Sequence, residues 1–305
     1  MLVGSGDDGF LPNVPDCSIP GRPTAPMPQP SSDPQFRVHQ AVLDSPLLGP
    51  DDPPVYEILE PLQPSPVLLL CDHANHAIPR VLGDLGVPRE TVERLHIGWD
   101  IGAAAVTRLL AKRLHATALF TNYSRLLIDI NRHPGDPTSI LAESDGVAVP
   151  ANRDLPDHEA EQRLETFFWP YHHAITQSLA TLMRHGPPPA VVSIHSFTEV
   201  FQGLRRPWEL GFLWNHDPRL VAPLFRWFEH QHPQLTIGDN QPYSGREVGF
   251  TLEHHAGAAG LPNVCIEIRQ DLIGDQAGQQ HWADIVGEAL EAVLSNASLH
   301  KVEHY

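Results

Sequence analysis

The chain has 305 residues, a formal net charge of −17 and no cluster of lysine or arginine. That balance gives no electrostatic footprint for a nucleic-acid backbone or an anionic membrane. No run approaches the roughly 18 apolar residues of a membrane-spanning helix. The N-terminus also lacks a basic region followed by an apolar stretch, so the cytoplasm is the expected location. Three cysteines, Cys17, Cys71 and Cys265, form neither a disulfide framework nor a C-x-x-C metal spacing.

The first 66 residues hold 15 of the 31 prolines and carry nine acidic side chains against two basic ones. With so little apolar periodicity, residues 1–64 read as a proline-rich, acidic, disordered extension, and residues 65–305 as one catalytic domain. Residues 67–71 (VLLLC) then form a compact apolar run, as expected of a strand buried on both faces of a parallel sheet. It ends abruptly in the polar stretch 72–76. Residues 101–114 place Ile101, Ala105, Leu109 and Leu110 on one helical face, with Asp100 where an N-cap belongs.

Residues 117–121 and 126–130 read as two further strands, followed by a Pro/Gly-rich loop over 133–154. A long helical stretch covers 157–185, which Pro170 must kink or divide. Strands are expected at 190–194, 210–214, 235–238 and 263–268, and helices at 218–231, 250–259 and 279–295. This alternation predicts an α/β fold, a three-layer sandwich with a mixed, mainly parallel central sheet of the phosphorylase/hydrolase-like kind.

In open α/β sheets ligands bind beyond the carboxyl ends of the strands, so each exit is a candidate site. The exits deliver Asp72, His73 and His76; Asp129, Asn131 and Arg132; His195 and Ser196; and Glu267, Arg269 and Asp271. His73 and His76 are three residues apart and can face one point, with His195 arriving from a separate strand. Two or three imidazoles with an open position describe a catalytic zinc site. The bland alternative has His76 on the loop surface and His73 as a cap or turn residue.

The adjacent pairs 172–173 and 254–255 fall in helical segments. Their members point to different faces, so they read as solvated or structural. Glu267 is a carboxylate inside an apolar strand, which costs free energy unless it is paired or used. It fits a general base beside an activated water, or a structural salt bridge to Arg269 or Arg132. Arg125, Arg132, Arg205, Arg206 and Arg269 stand out among so few basic residues, because a guanidinium grips a carboxylate with two parallel hydrogen bonds. Ordinary ion pairs are the alternative for each. Asn131 adds an amide that could orient a carboxylate or carbonyl.

Seven segments together resemble the N-formylglutamate amidohydrolase family: 71–79 (CDHANHAIP), 96–102 (HIGWDIG), 124–132 (SRLLIDINR), 170–172 (PYH), 193–198 (SIHSFT), 239–244 (DNQPYS) and 265–273 (CIEIRQDLI). The likeness spans nearly all of residues 66–275, and the family is similar in architecture to zinc carboxypeptidases and aspartoacylases. It implies Zn2+, or another divalent metal, on His73 and His195. His76 stands where carboxypeptidase-like enzymes place a glutamate ligand, so the third ligand is His76, Asp72 or Asp100.

The segment 129–132 is similar to one in aspartoacylase-like enzymes whose arginine binds substrate and polarises the scissile carbonyl, a role that falls to Arg132. Glu267 matches the general base, and Gln270 replaces an asparagine usual in the family. Arg125, Asn131, Arg269 and Ser196 are then substrate-binding. The implied activity is hydrolysis of a small anionic N-acyl amino acid, N-formyl-L-glutamate first. Alternatives are a related deacylase or peptidase acting on another N-acyl amino acid or a cell-wall fragment, and a non-catalytic metal- or carboxylate-binding protein.

Overall fold

All five residues of Val67–Cys71 and all eight of Ala190–Phe197 are buried, as expected of strands sandwiched between two helical layers. The computed structural model describes residues 28–30 and 33–305. Its main sheet comprises β1 (Pro28–Pro30), β2 (Phe36–Gln40), β3 (Tyr56–Pro61), β4 (Val67–Cys71), β5 (Thr117–Thr121), β6 (Ala190–Phe197), β7 (Leu210–Leu213), β8 (Ile237–Asp239) and β9 (Asn263–Arg269). The nine strands run in the order β1-β2-β3-β5-β4-β6-β9-β7-β8. The sheet is mixed. Its four central strands, β5, β4, β6 and β9, are parallel to one another, and antiparallel neighbours flank them on both sides.

Alternation along β4 shows the three layers. Leu69 and Cys71 join the core on one face with Val106, Leu110, Trp282 and Leu290. Leu68 and Leu70 join the core on the other face with Phe168, Tyr171 and Ile175. The first face is covered by α1 (Ala103–Leu114), α4 (Val221–Gln231) and α5 (Gln276–Leu294). The second is covered by the stretch that starts as α2 (Asp157–Arg163) and ends as α3 (Trp169–His185). Among the described residues, no helix is long and apolar enough to cross a membrane.

Four expectations change. The ordered chain does not start near residue 65, because β2 and β3 lie within the proline-rich region and pair in register, Phe36 with Pro61 and Leu59 with Ala118 of β5. The prolines among the described residues of that region sit at strand ends and in the connections between strands, not mid-ladder. Residues 1–27 and 31–32, with Cys17, lie outside the described residues.

Residues 126–130 are not a strand. The Leu126 amide donates to Ser124 Oγ (3.2 Å) and the Asn131 amide to Asp129 Oδ1 (2.9 Å), folding them into turns, while Leu126, Leu127, Ile128 and Ile130 are buried. Asp100 does not cap α1. Gly102 holds that position at φ 82°, where an added Cβ would lie 2.2 Å from the Ile273 carbonyl oxygen. Pro170 does not divide the helix either. α2 continues into α3 through a π-helical turn, Leu164–Phe168, and Pro170 falls in the first turn of α3.

Candidate active site

The parallel order of the central strands brings their carboxyl ends to one edge. His73 follows β4, while His195 and Glu267 occupy paired positions in β6 and β9. The loop entering α1 folds over this edge, the Asp100 amide donating to the His73 carbonyl oxygen at 2.9 Å. Asp100 thereby points into the sheet edge instead of along the helix. Its carboxylate accepts from His195 Nδ1 at 2.7 Å and from Arg125, and it lies 3.4 Å from His73 Nδ1. Arg125 also contacts His73 Nδ1.

On its far side, His73 Nε2 meets Asp129 Oδ1 at 2.7 Å, which fixes the ring's orientation. Asp72 holds the other flank, with Oδ1 accepting from the Tyr171 hydroxyl at 2.9 Å and Oδ2 lying 3.5 Å from His195 Nε2. The segment from Asp129 to Asn131 is anchored in turn: Asn131 Oδ1 accepts from the Thr251 amide at 2.9 Å.

Burial alone would push the Asp100 carboxyl up. Arg125, His73 and His195 outweigh it and hold it well below the usual carboxylate range. Burial would pull His195 down, yet Asp100 and Asp72 lift it well above its ordinary value. His73 is likewise raised, by Asp129 and Asp100 against burial and Arg125. The two imidazoles sit in a pocket built for positive charge. Glu267 differs from the aspartates: burial raises it to about 7, with His195 opposing and Asp100 reinforcing the rise. A carboxylate poised there can accept and return a proton near neutral pH.

The residues present fit a divalent cation. One ligand atom each from His73, Asp100 and His195, all buried, lie within 4.8 Å of one another. His195 Nε2 and Glu267 Oε2 are buried without a hydrogen-bond partner. Two imidazole nitrogens and a carboxylate oxygen with room beside them are the donor set of a catalytic zinc site.

Not every residue expected from the sequence comes to this cluster. His76 lies instead against Trp99, ring centroids 5.0 Å apart, and lines a separate cavity with Arg89 and Glu93. The exit of β4 is not a helical turn, so three-residue spacing does not put the two rings together. Arg269 is engaged by Asp271 at 2.8 Å and by the Trp208 carbonyl at 3.2 Å. Ser196 Oγ donates to the Ile101 carbonyl at 2.9 Å, bracing the loop that carries Asp100. Asn131, Ser193, His195, Trp214 and Glu267 line a small cavity of about 40 Å³ beside the cluster. The Arg132 guanidinium is half-buried and is a charge neighbour of Asp129.

Asp129 and Tyr171 have positioning roles that sequence reasoning did not assign. Asp129 ends the apolar run 126–128 and Tyr171 lies in the segment 170–172, so the sequence marks each residue but not what it touches.

The profile of the N-formylglutamate amidohydrolase family matches residues 65–274, more than half of the chain. The chain belongs to that family. Among solved structures, a gene product of Agrobacterium tumefaciens is 34% identical, with a TM-score of 0.77 over 83% of this chain and 99% of that one. An N-formylglutamate amidohydrolase from Ralstonia eutropha JMP134 shares the fold at 20% identity, with a TM-score of 0.60 over 79% of this chain and 99% of that one. No curated protein matches.

Proposed function

We propose that this family member hydrolyses the amide bond of a small anionic N-acyl amino acid, with N-formyl-L-glutamate, giving glutamate and formate, as the first candidate. His73, Asp100 and His195 would hold a divalent cation, Zn2+ first. Such an ion, when bound, supplies Lewis-acid polarisation of the scissile carbonyl and lowers the pKa of water.

The chain's own residues supply the rest. Glu267 takes the proton from the attacking water at its unpartnered Oε2 and returns it to the leaving amine nitrogen. Asp129 and Tyr171 hold the His73 ring and the Asp72 carboxylate in place. Arg132, a charge neighbour of Asp129, would add positive charge for the oxygen that becomes negative, and Asn131 lines the cavity beside the cluster. The observation that carries this reading is Glu267, a buried carboxylate with a pKa near 7 in register with His195. Family membership supports the substrate class.

The test is a screen of purified protein against N-formyl, N-acetyl and longer N-acyl amino acids, with and without added zinc. Release of formate from N-formyl-L-glutamate, lost with a chelator and restored by zinc, is expected. Glu267→Gln should reduce kcat by about 10²- to 10⁴-fold while the protein retains its zinc. Turnover in that variant comparable to wild type would remove Glu267 from the role of base.

A further inference from the structure

The arginines expected from the sequence to receive the substrate carboxylate are already engaged, Arg125 by Asp100 and Arg269 by Asp271. Arg206 is not. It is 8% exposed and sits just past the exit of β6, at the base of a two-stranded hairpin in which its amide donates to the Glu199 carbonyl at 2.8 Å. Its guanidinium lies 4.6 Å from the ring centre of Phe201 and 4.8 Å from that of Tyr243. One nitrogen, Nη1, donates to the Tyr243 hydroxyl at 3.1 Å and reaches the Thr198 carbonyl at 3.5 Å.

Among the described residues, no carboxylate lies within ion-pair distance of Arg206, and its other donors are not spent on protein groups. A cation held this deep without an anion is costly to keep, and the flanking rings fix its plane. Its surroundings are those of the site. Its guanidinium lies 5.9 Å from the ring centre of Phe197, two residues past His195 on β6, and the Phe201 ring meets that of His96 with centroids 5.9 Å apart.

We propose that Arg206 is the specificity-determining residue of this enzyme, receiving a carboxylate of the N-acyl dicarboxylic amino acid through its free donors. The aromatic pair orients the fork and shields it from water, which strengthens a charge-assisted bond. The proposal rests on the amidohydrolase reading above, and it selects acidic substrates over their neutral amides.

The test compares N-formyl-L-glutamate with N-formyl-L-glutamine in zinc-loaded wild type, Arg206→Gln and Arg206→Lys, together with calorimetric binding of glutarate. In Arg206→Gln the preference for the diacid should fall about a hundredfold, chiefly through KM, and glutarate affinity should fall in parallel. Arg206→Lys should recover part of both. If Arg206 were only an aromatic brace, Arg206→Gln would slow both substrates equally; that result, or an intact preference, overturns the proposal. If wild type hydrolyses neither compound, the amidohydrolase reading fails, and glutarate binding still decides Arg206: equal affinity in wild type and variant overturns it.

Discussion

His73 and His195 meet edge to face with ring centroids 5.0 Å apart, while His172 and His255 stack with centroids 5.1 Å apart. All four side chains are buried. The first pair is ringed by Asp72, Asp100 and Asp129, which raise both imidazoles above their ordinary pKa. The second pair has neutral partners. His172 Nε2 donates to the Ile130 carbonyl at 2.9 Å, so its Nδ1 accepts the proton of His255 Nε2 at 2.8 Å. Burial, with no ion-paired carboxylate to oppose it, lowers His172 to about 4 and His255 to about 3.

The same side chain at similar depth is therefore a cation-seeking ligand candidate in one place and a neutral brace in the other. The number of carboxylates within reach decides which. The two regions are also connected. By gripping Ile130, the neutral pair ties the segment carrying Asp129, Asn131 and Arg132 to α3 and to the π-helical turn Glu253–Gly257.

Three variants or conditions probe this contrast, in order of decreasing effect. His195→Ala should lose most of the bound zinc and at least about 10³-fold in activity, read by metal analysis of the purified protein. Zinc content equal to wild type would mean that His195 is not a ligand.

His172→Ala should keep its zinc but lose about 2 kcal/mol of stability in chemical denaturation, because it leaves the Ile130 carbonyl and His255 without their partner. Loss of zinc in this variant would erase the distinction between the two pairs.

The smallest effect is in pH. Unfolded histidine binds a proton near pH 6.5, whereas folded His172 and His255 stay neutral down to about 4 and about 3. Between those values the unfolded state binds more protons. The pair's contribution is therefore complete above pH 6.5 and declines as pH falls toward 4. Asp72, Asp100 and Asp129, all lowered, lose theirs only at more acid pH. In denaturation series from pH 7 to pH 5 the stability advantage of wild type over His172→Ala should shrink as pH falls, a difference that removes the opposite contribution of Glu267, raised to about 7; a constant difference would contradict the neutral-brace assignment.

Much of the fold is legible in the sequence because it is local. Continuous apolar runs mark β4, β6 and β9; abrupt polar endings of the first two point to His73 and His195, and Glu267 stands out as a carboxylate within the third. Other features resist local reading. Asp100 stands where an N-cap belongs, and its amide's bond to the His73 carbonyl, with Gly102 packed against Ile273 171 positions away, turns it toward the histidines. His76 has metal-site spacing, but spacing implies convergence only on a helix. Residues 126–130 carry a strand's composition, yet the hydrogen bonds of Ser124 and Asp129 fold them into turns. Arg206 is not separated in the sequence from Arg125, Arg132, Arg205 or Arg269 until its lack of a carboxylate partner is visible.

The sequence by itself determined the α/β class, the strand exits and the family, because buried strand length, helical periodicity and short motifs are properties of neighbouring residues. Tertiary structure decided which exits meet. Parallel pairing of β4, β6 and β9 joins residues 73, 195 and 267 across nearly 200 positions, and the resulting burial sets their charge. It also decided that β2 and β3, hidden among prolines, belong to the sheet, since a strand is completed only by the partner that takes its hydrogen bonds.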